Sequence, residues 1–209
     1  MSSIMSEKLS FILKPAINKL NVISPAFIKR VFDLFWIKTA RFQRNMKSGE
    51  ISIRLYSLKD LYTLYSLFNQ GNLINFDTTR YGVFNYLSHY FRLMFDKFHV
   101  FYLIKAREKD VSRIIGFMGL YNIVIGQTVF LSIAIFKPDD RRQGYGKGAI
   151  ELLLNNLKKN NIVKSIHVEV LTTNEPSLCF FKGLGFEICR QYNDRFLLEK
   201  NLENTQQKS

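Results

Sequence analysis

The stretch that decides the fold reads Arg141-Arg142-Gln143-Gly144-Tyr145-Gly146-Lys147-Gly148 and runs on into Ala149-Ile150-Glu151-Leu152-Leu153-Leu154. Ahead of it, residues 128–136 are apolar and β-branched, as a buried strand is. Behind it, the apolar positions take helical spacing from about residue 146 to 159. Strand, glycine-rich turn and helix in that order make an anion cradle. Glycines let successive N–H groups turn toward one point, and the unpaired amides of the first helical turn add the positive end of a dipole. Arg141, Arg142 and Lys147 add to the preference for phosphate. A flexible turn that binds nothing is the plainer reading, but it leaves three basic side chains beside the glycines without a reason.

Two familiar phosphate loops are tested by spacing. A P-loop requires a glycine where Arg141 stands and a Ser or Thr where Gly148 stands, so that reading fails. A dinucleotide fingerprint tolerates Ala149 in its third glycine position, and the antiparallel reading of the strands before the loop weakens that alternative without excluding it.

Working outward, residues 165–171 read as a strand, 175–184 as a helix and 195–200 as a last strand. Upstream, alternation over Ile51, Ile53 and Leu55 predicts a strand. Helices follow at 58–68 and 83–95, then strands at 99–107 and 114–125, with a polar link at 108–113 and a turn at Gly126-Gln127. This order predicts an α/β (α+β) fold, a mixed sheet whose antiparallel meander passes into crossover helices.

The run Arg141-x-x-Gly144-x-Gly146 resembles the acetyl-CoA pyrophosphate motif of the GNAT (N-acetyltransferase) superfamily, and residues 131–138 ahead of it look like that family's splayed fourth strand. The run Asn174-x-x-Ser177-Leu178-x-x-Phe181-x-x-Leu184-Gly185-Phe186 resembles the family's second signature. The likeness covers about residues 51–202. It implies a mostly antiparallel sheet splayed between strands 4 and 5, with acetyl-CoA as co-substrate in the gap. Arg141, Arg142, Gln143, Gly144, Tyr145, Gly146 and Lys147 would hold the pyrophosphate. Asn174, Ser177 and Phe181 would line the cofactor arm. The reaction implied is attack of an amine on the thioester, which requires a base, an acid and two positioned substrates.

On the strand 165–171, His167, Glu169 and Leu171 share one face in an otherwise apolar run. Glu169 is the candidate base, matching a glutamate proposed as base in relatives that acetylate protein N-termini. An ion pair with a lysine on an exposed face is the competing reading. His167 reads as a solvated neighbour. Phe181 stands where many family members carry tyrosine, and it has no proton to give, so either Tyr192, Tyr145 or Ser177 supplies one, with Tyr192 the residue carried forward, or thiolate departure relies on backbone N–H groups and solvent. Phe181 equally suits a second reading: a catalytically weak or inactive acyl-CoA-binding module acting as a sensor or membrane-associated interaction protein.

The rest of the composition sets bounds. The chain has 209 residues, 47% hydrophobic and 22% charged, which fits one globular domain with an appendage. Thirty Lys and Arg against 17 Asp and Glu give +13, which favours anionic partners without choosing among them. Cys179 and Cys189 lack CxxC spacing, and no His cluster has metal-ligand spacing, so neither a disulfide framework nor a metal is expected. Cys179, beside Phe180 and Phe181, reads as a buried thiol. No run reaches about 18 apolar residues, so a reducing cytoplasm is the expected location.

Residues 1–48 hold nine basic side chains against Glu7 and Asp33, and from Ser24-Pro25 they read as a basic amphipathic helix stopping near Gly49. Three roles stay open for this extension: packing on the body or on a second subunit, peripheral membrane contact through residues 24–47, or a cleaved transit segment. Its large apolar residues argue against nucleic-acid binding as the main role. Residues 49–202 form the expected acetyltransferase domain and 203–209 a polar tail. The acceptor is expected to be shaped by the aromatic segment 58–97, where Asp60, Asp77 and Asp96 offer little to attract a polycation. A small amine, an amino sugar or a peptide N-terminus all fit, and the basic charge favours an acceptor bearing phosphate or carboxylate.

Overall fold

Strand β1 (Asn45–Ser48) turns through Gly49 and Glu50 into β2 (Ile51–Leu55), with Ser48 opposite Ile51. Gly49 takes φ 56°, a left-handed value that suits glycine in a tight hairpin. The computed structural model to which these strands belong describes residues 42–57, 60, 63, 99–108 and 111–202. Strand β3 (Val100–Glu108) pairs β4 (Val111–Val124) from the register Glu108↔Val111, and β4 pairs β5 (Thr128–Ile135) around Gly126. Then come α1 (Tyr145–Lys159), β6 (Ser165–Leu171), α2 (Glu175–Gly183), β7 (Glu187–Tyr192) and β8 (Arg195–Asn201).

These strands form one sheet in the order β1-β2-β3-β4-β5-β6-β8-β7, and every neighbouring pair is antiparallel except β5 with β6. The mixed, mostly antiparallel sheet expected from the sequence is therefore present, with α1 as the crossover between its two parallel strands. One face of the sheet is apolar. Tyr102, Ile104, Met118, Leu120, Val129 and Ile166 are buried there in one cluster with Ala149, Ile150, Leu153 and Leu157 of α1. Each such side chain contributes roughly 1.5–3 kcal/mol on burial, so this face holds α1 in place.

Two strands depart from the expected order. Asn45–Ser48 was expected inside the N-terminal extension, yet it pairs with β2, and Phe42 and Met46 are buried in the core. A single apolar residue in a four-residue strand gives too little alternation to read. Strand β7 was not expected at all: five of its six residues are exposed, so it carries no burial pattern. The polar link expected at 108–113 is shorter, because residues 111–113 belong to β4. The helices expected at 58–68 and 83–95, and residues 1–41 of the extension, lie outside the described residues apart from Asp60 and Thr63. Asp60 itself is tied down by Arg54 Nη2 at 2.6 Å and by the Ser57 hydroxyl at 2.8 Å.

Candidate active site

The two parallel strands stay together only at Thr128↔Ser165, Val129↔Ile166 and Phe130↔His167. Beyond those pairs, residues 131–135 remain bonded to β4, and residues 168–171 to β8. Over residues 131–134 and 168–170 the facing edges have no partner among the described residues, while at the mouth the Ile135 carbonyl accepts from Arg141 and the Leu171 carbonyl from the Asn174 amide. They bound a wedge whose walls are backbone N–H and C=O groups, and such groups require a partner when water is excluded.

The loop leaving the open end of β5 begins with a 3-10 turn, Pro138–Asp140. Asp140 is buried and accepts both arms of the Arg113 guanidinium, at 2.7 and 2.6 Å, which holds its carboxyl below the ordinary carboxylate value. Arg141 donates its amide to the Pro138 carbonyl, and its guanidinium to the carbonyls of Ile135 at 3.2 Å and Phe136 at 3.4 Å. Its side chain thus secures the loop to the strand end, whereas the sequence reading turned it toward the anion.

Arg142 and Gly144 both take left-handed backbone, with φ 61° and 81°. The amides of residues 142–147 donate to no partner among the described residues, and the first helical bond runs from Gly148 N–H to the Gly144 carbonyl at 3.0 Å. A Cβ placed on Gly144 would meet nothing within 4 Å, so the space before these amides is open. On Gly146 it would touch the Phe180 ring at 3.4 Å, which shows how closely α2 lies against the first turn of α1. Gln143 is exposed, and Tyr145 is half-buried against the core. Lys147 is exposed, 3.9 Å from Glu151.

Asn174 caps α2, its Oδ1 accepting Ser177 N–H at 3.2 Å. Phe181, 4% exposed, meets Phe180 and Phe186 edge-on at 5.2 and 5.4 Å, so its ring is packed into the core. Cys179 is exposed, contrary to its reading as a buried thiol; two residues from Phe181, it falls on the opposite side of the helix.

On the sheet face opposite α1, Tyr192 O–H donates to Glu169 Oε1, so the two residues picked from the sequence for acid and base are in direct contact. This bond to the carboxylate is the main cause that raises the Tyr192 phenol above its ordinary value. Glu169 is half-buried, and its Oε2 has no partner among the described residues. His167 is held by Thr128 Oγ1 at 2.8 Å and by Glu199 at 3.4 Å from Nε2, so its ring is engaged by neighbours where the sequence reading had it solvated.

A family model described as the acetyltransferase (GNAT) family matches residues 59–186. The chain belongs to the GNAT acetyltransferase family. No curated protein matches it by sequence. Among solved structures it is similar to a domain from Methanocaldococcus jannaschii at 22% identity and TM-score 0.63, covering 74% of this chain and 99% of that one. It is similar as well to spermidine N-acetyltransferase from Vibrio cholerae in complex with CoA and spermine, at 16% identity and TM-score 0.63, over 74% of this chain and 97% of that one. A third, ribosomal-protein-S5-alanine acetyltransferase from Vibrio fischeri, matches at 16% identity and TM-score 0.62, over 78% of this chain and 98% of that one. These likenesses concern the GNAT fold.

This GNAT chain brings into the site residues that sequence reasoning passed over. Tyr121 of β4 stands in the same row as Phe130 and His167, its ring 5.5 Å from that of Phe130. Burial, and then the charges of Glu169 and Tyr192, push its phenol up to about 12. Alternation on β4 would have placed Tyr121 on this face. Arg190 and Arg195 flank Tyr192; since β7 gave no signal, Arg190 had none either.

Proposed function

We propose that the protein is an acetyl-CoA-dependent N-acetyltransferase that moves the acetyl group to a primary amine by direct attack on the thioester. The reading rests on one observation above all: the unpartnered amides of residues 142–147 open onto the mouth of the wedge between β5 and β6. A diphosphate carries the acceptor oxygens that such amides need, and the helix dipole favours its charge. The unpaired strand edges behind it suit the amide groups of a pantetheine arm. The similar Vibrio cholerae enzyme was solved with CoA, which supports the same donor here.

In this reading Gln143, Gly144, Tyr145, Gly146 and Lys147 hold the diphosphate by backbone, with Arg142 and Lys147 adding charge. Asn174 and Ser177 shape the α2 side of the arm. The amine nitrogen adds to the thioester carbonyl, and Glu169 takes its proton through Oε2. The C–S bond then breaks, and Tyr192 protonates the departing thiolate, the task that Phe181 cannot perform. Release of free thiol from acetyl-CoA on addition of primary amines tests the proposal. Thiol release by the wild type, reduced in Glu169→Gln, is the expected result. Acetyl-CoA bound with no amine-dependent turnover would favour the non-catalytic binding module instead.

A further inference from the structure

The sheet register lays out the face around Glu169 row by row. Tyr121, Phe130, His167, Glu199 and Glu187 make one row across five strands. The next row toward the open end of the wedge carries Ser132 on β5, then Glu169, Leu197 and Arg190; the one after carries Ala134, then Leu171, Arg195 and Tyr192. Two guanidinium groups therefore stand on the same face as the carboxylate, Arg190 in its own row and Arg195 in the row toward the open end.

The contacts of these arginines leave their cationic ends available. Arg195 approaches Asp194 no nearer than 3.7 Å, at Nε, and Arg190 has no ion pair or hydrogen bond from its side chain among the described residues. Neither pairs with Glu169. Both are close enough to Tyr192 to oppose the upward shift that Glu169 imposes on its phenol, and Arg195 acts on Tyr121 in the same way. The acidic groups of this face are accounted for. Glu199 is engaged by His167, Glu187 lies beyond it in the row behind, and Asp194 is at the β7–β8 turn. Two fixed cations beside the base repel a second ammonium and attract an anion, and a guanidinium fork fits a carboxylate or a phosphate by paired hydrogen bonds.

We propose that Arg190 and Arg195 form an anion subsite, so that the acceptor is a primary amine that also bears a carboxylate or phosphate, its nitrogen at Glu169 and its anion on the arginines. This rests on the acetyltransferase reading and narrows its substrate class. It excludes a polyamine such as the spermidine named for the Vibrio cholerae neighbour as the preferred acceptor.

The test compares matched acceptors on the full-length protein: glycine against glycinamide, glucosamine 6-phosphate against glucosamine, and spermidine alongside. The readout is kcat/KM for thiol release. The wild type is expected to favour the anionic member of at least one pair about tenfold or more, the scale of one hydrogen bond to a charged group. Which pair responds separates carboxylate from phosphate. In the Arg190→Met/Arg195→Met variant the ratio should fall toward one, mostly through KM, while calorimetry shows acetyl-CoA binding retained, proving the variant folded. Equal rates within both pairs, a preference for spermidine, or an unchanged ratio in a folded double variant would overturn the subsite. Loss of acetyl-CoA binding by the wild type would instead overturn the parent reading. Should the double variant fail to bind acetyl-CoA, Arg195→Lys decides. Keeping the charge but losing the fork, it should weaken the anionic member alone, and equal effects on both members would refute the subsite.

Discussion

Tyr192 and Glu169 share one hydrogen bond, so neither can be altered without changing the other. With Glu169 as the proposed base, Glu169→Gln is expected to lower kcat by roughly 10²- to 10⁴-fold, the range of general-base catalysis. Tyr192→Phe should cost less, because coenzyme A thiolate departs with solvent help. The double variant should lose less than the product of the single losses, since a shared contact makes the effects non-additive; a fully multiplicative loss in steady-state rates would separate the two roles. The carboxylate raises the Tyr192 phenol, so the hydroxyl stays protonated above the ordinary tyrosine range in the wild type. Ultraviolet titration should therefore find one tyrosinate forming at lower pH in Glu169→Gln, and an identical titration in both proteins would refute the coupling. At Gly144, an alanine meets no neighbour, but it must take φ 81°, which costs roughly 1 kcal/mol of stability.

The element that carries the cradle is held from behind by Arg113 of β4 through Asp140. Arg113→Met leaves that carboxylate buried without its partner and should cost about 2 kcal/mol, below the full penalty of a broken buried pair because Arg113 is partly exposed. The shift in denaturant midpoint measures it. Asp140 has a depressed pKa when folded, so the clamp contributes its full stability above the unfolded carboxylate value of 3.8 and loses it as pH falls through the lower folded value. Acid unfolding of the wild type should accordingly track this loss, and the variant should lack that component. Much at this scale was readable in advance. The strand at 165–171 and the helix following Gly144 show their periods because one face of each is buried in the same core. Strand β7 was hidden because an exposed edge strand selects for no alternation, and the Arg113–Asp140 clamp because nothing in a sequence pairs residues 27 positions apart.

Across the whole molecule, one sheet performs two tasks with its two faces. The apolar face seats α1, while the opposite face carries Glu169, with Arg195, Arg190 and Tyr192 beside it on the two strands beyond β6. The motifs foretold a glycine turn running into a helix, because glycine and helix-start signals are local; they could not foretell that Arg141 would turn to the carbonyls of Ile135 and Phe136. Net charge acts at this scale too. With +13 overall, binding of the polyanionic donor should weaken several-fold as ionic strength rises from about 0.01 to 0.15 M, where the screening length shrinks from about 30 to 8 Å. Whether the amides around Gly144 grip a diphosphate is decided by isothermal calorimetry of coenzyme A with the wild type and with Gly144→Glu. Saturable binding is expected of the wild type and none of the variant, whose circular dichroism stays native. Equal affinity in the two proteins would contradict such a grip.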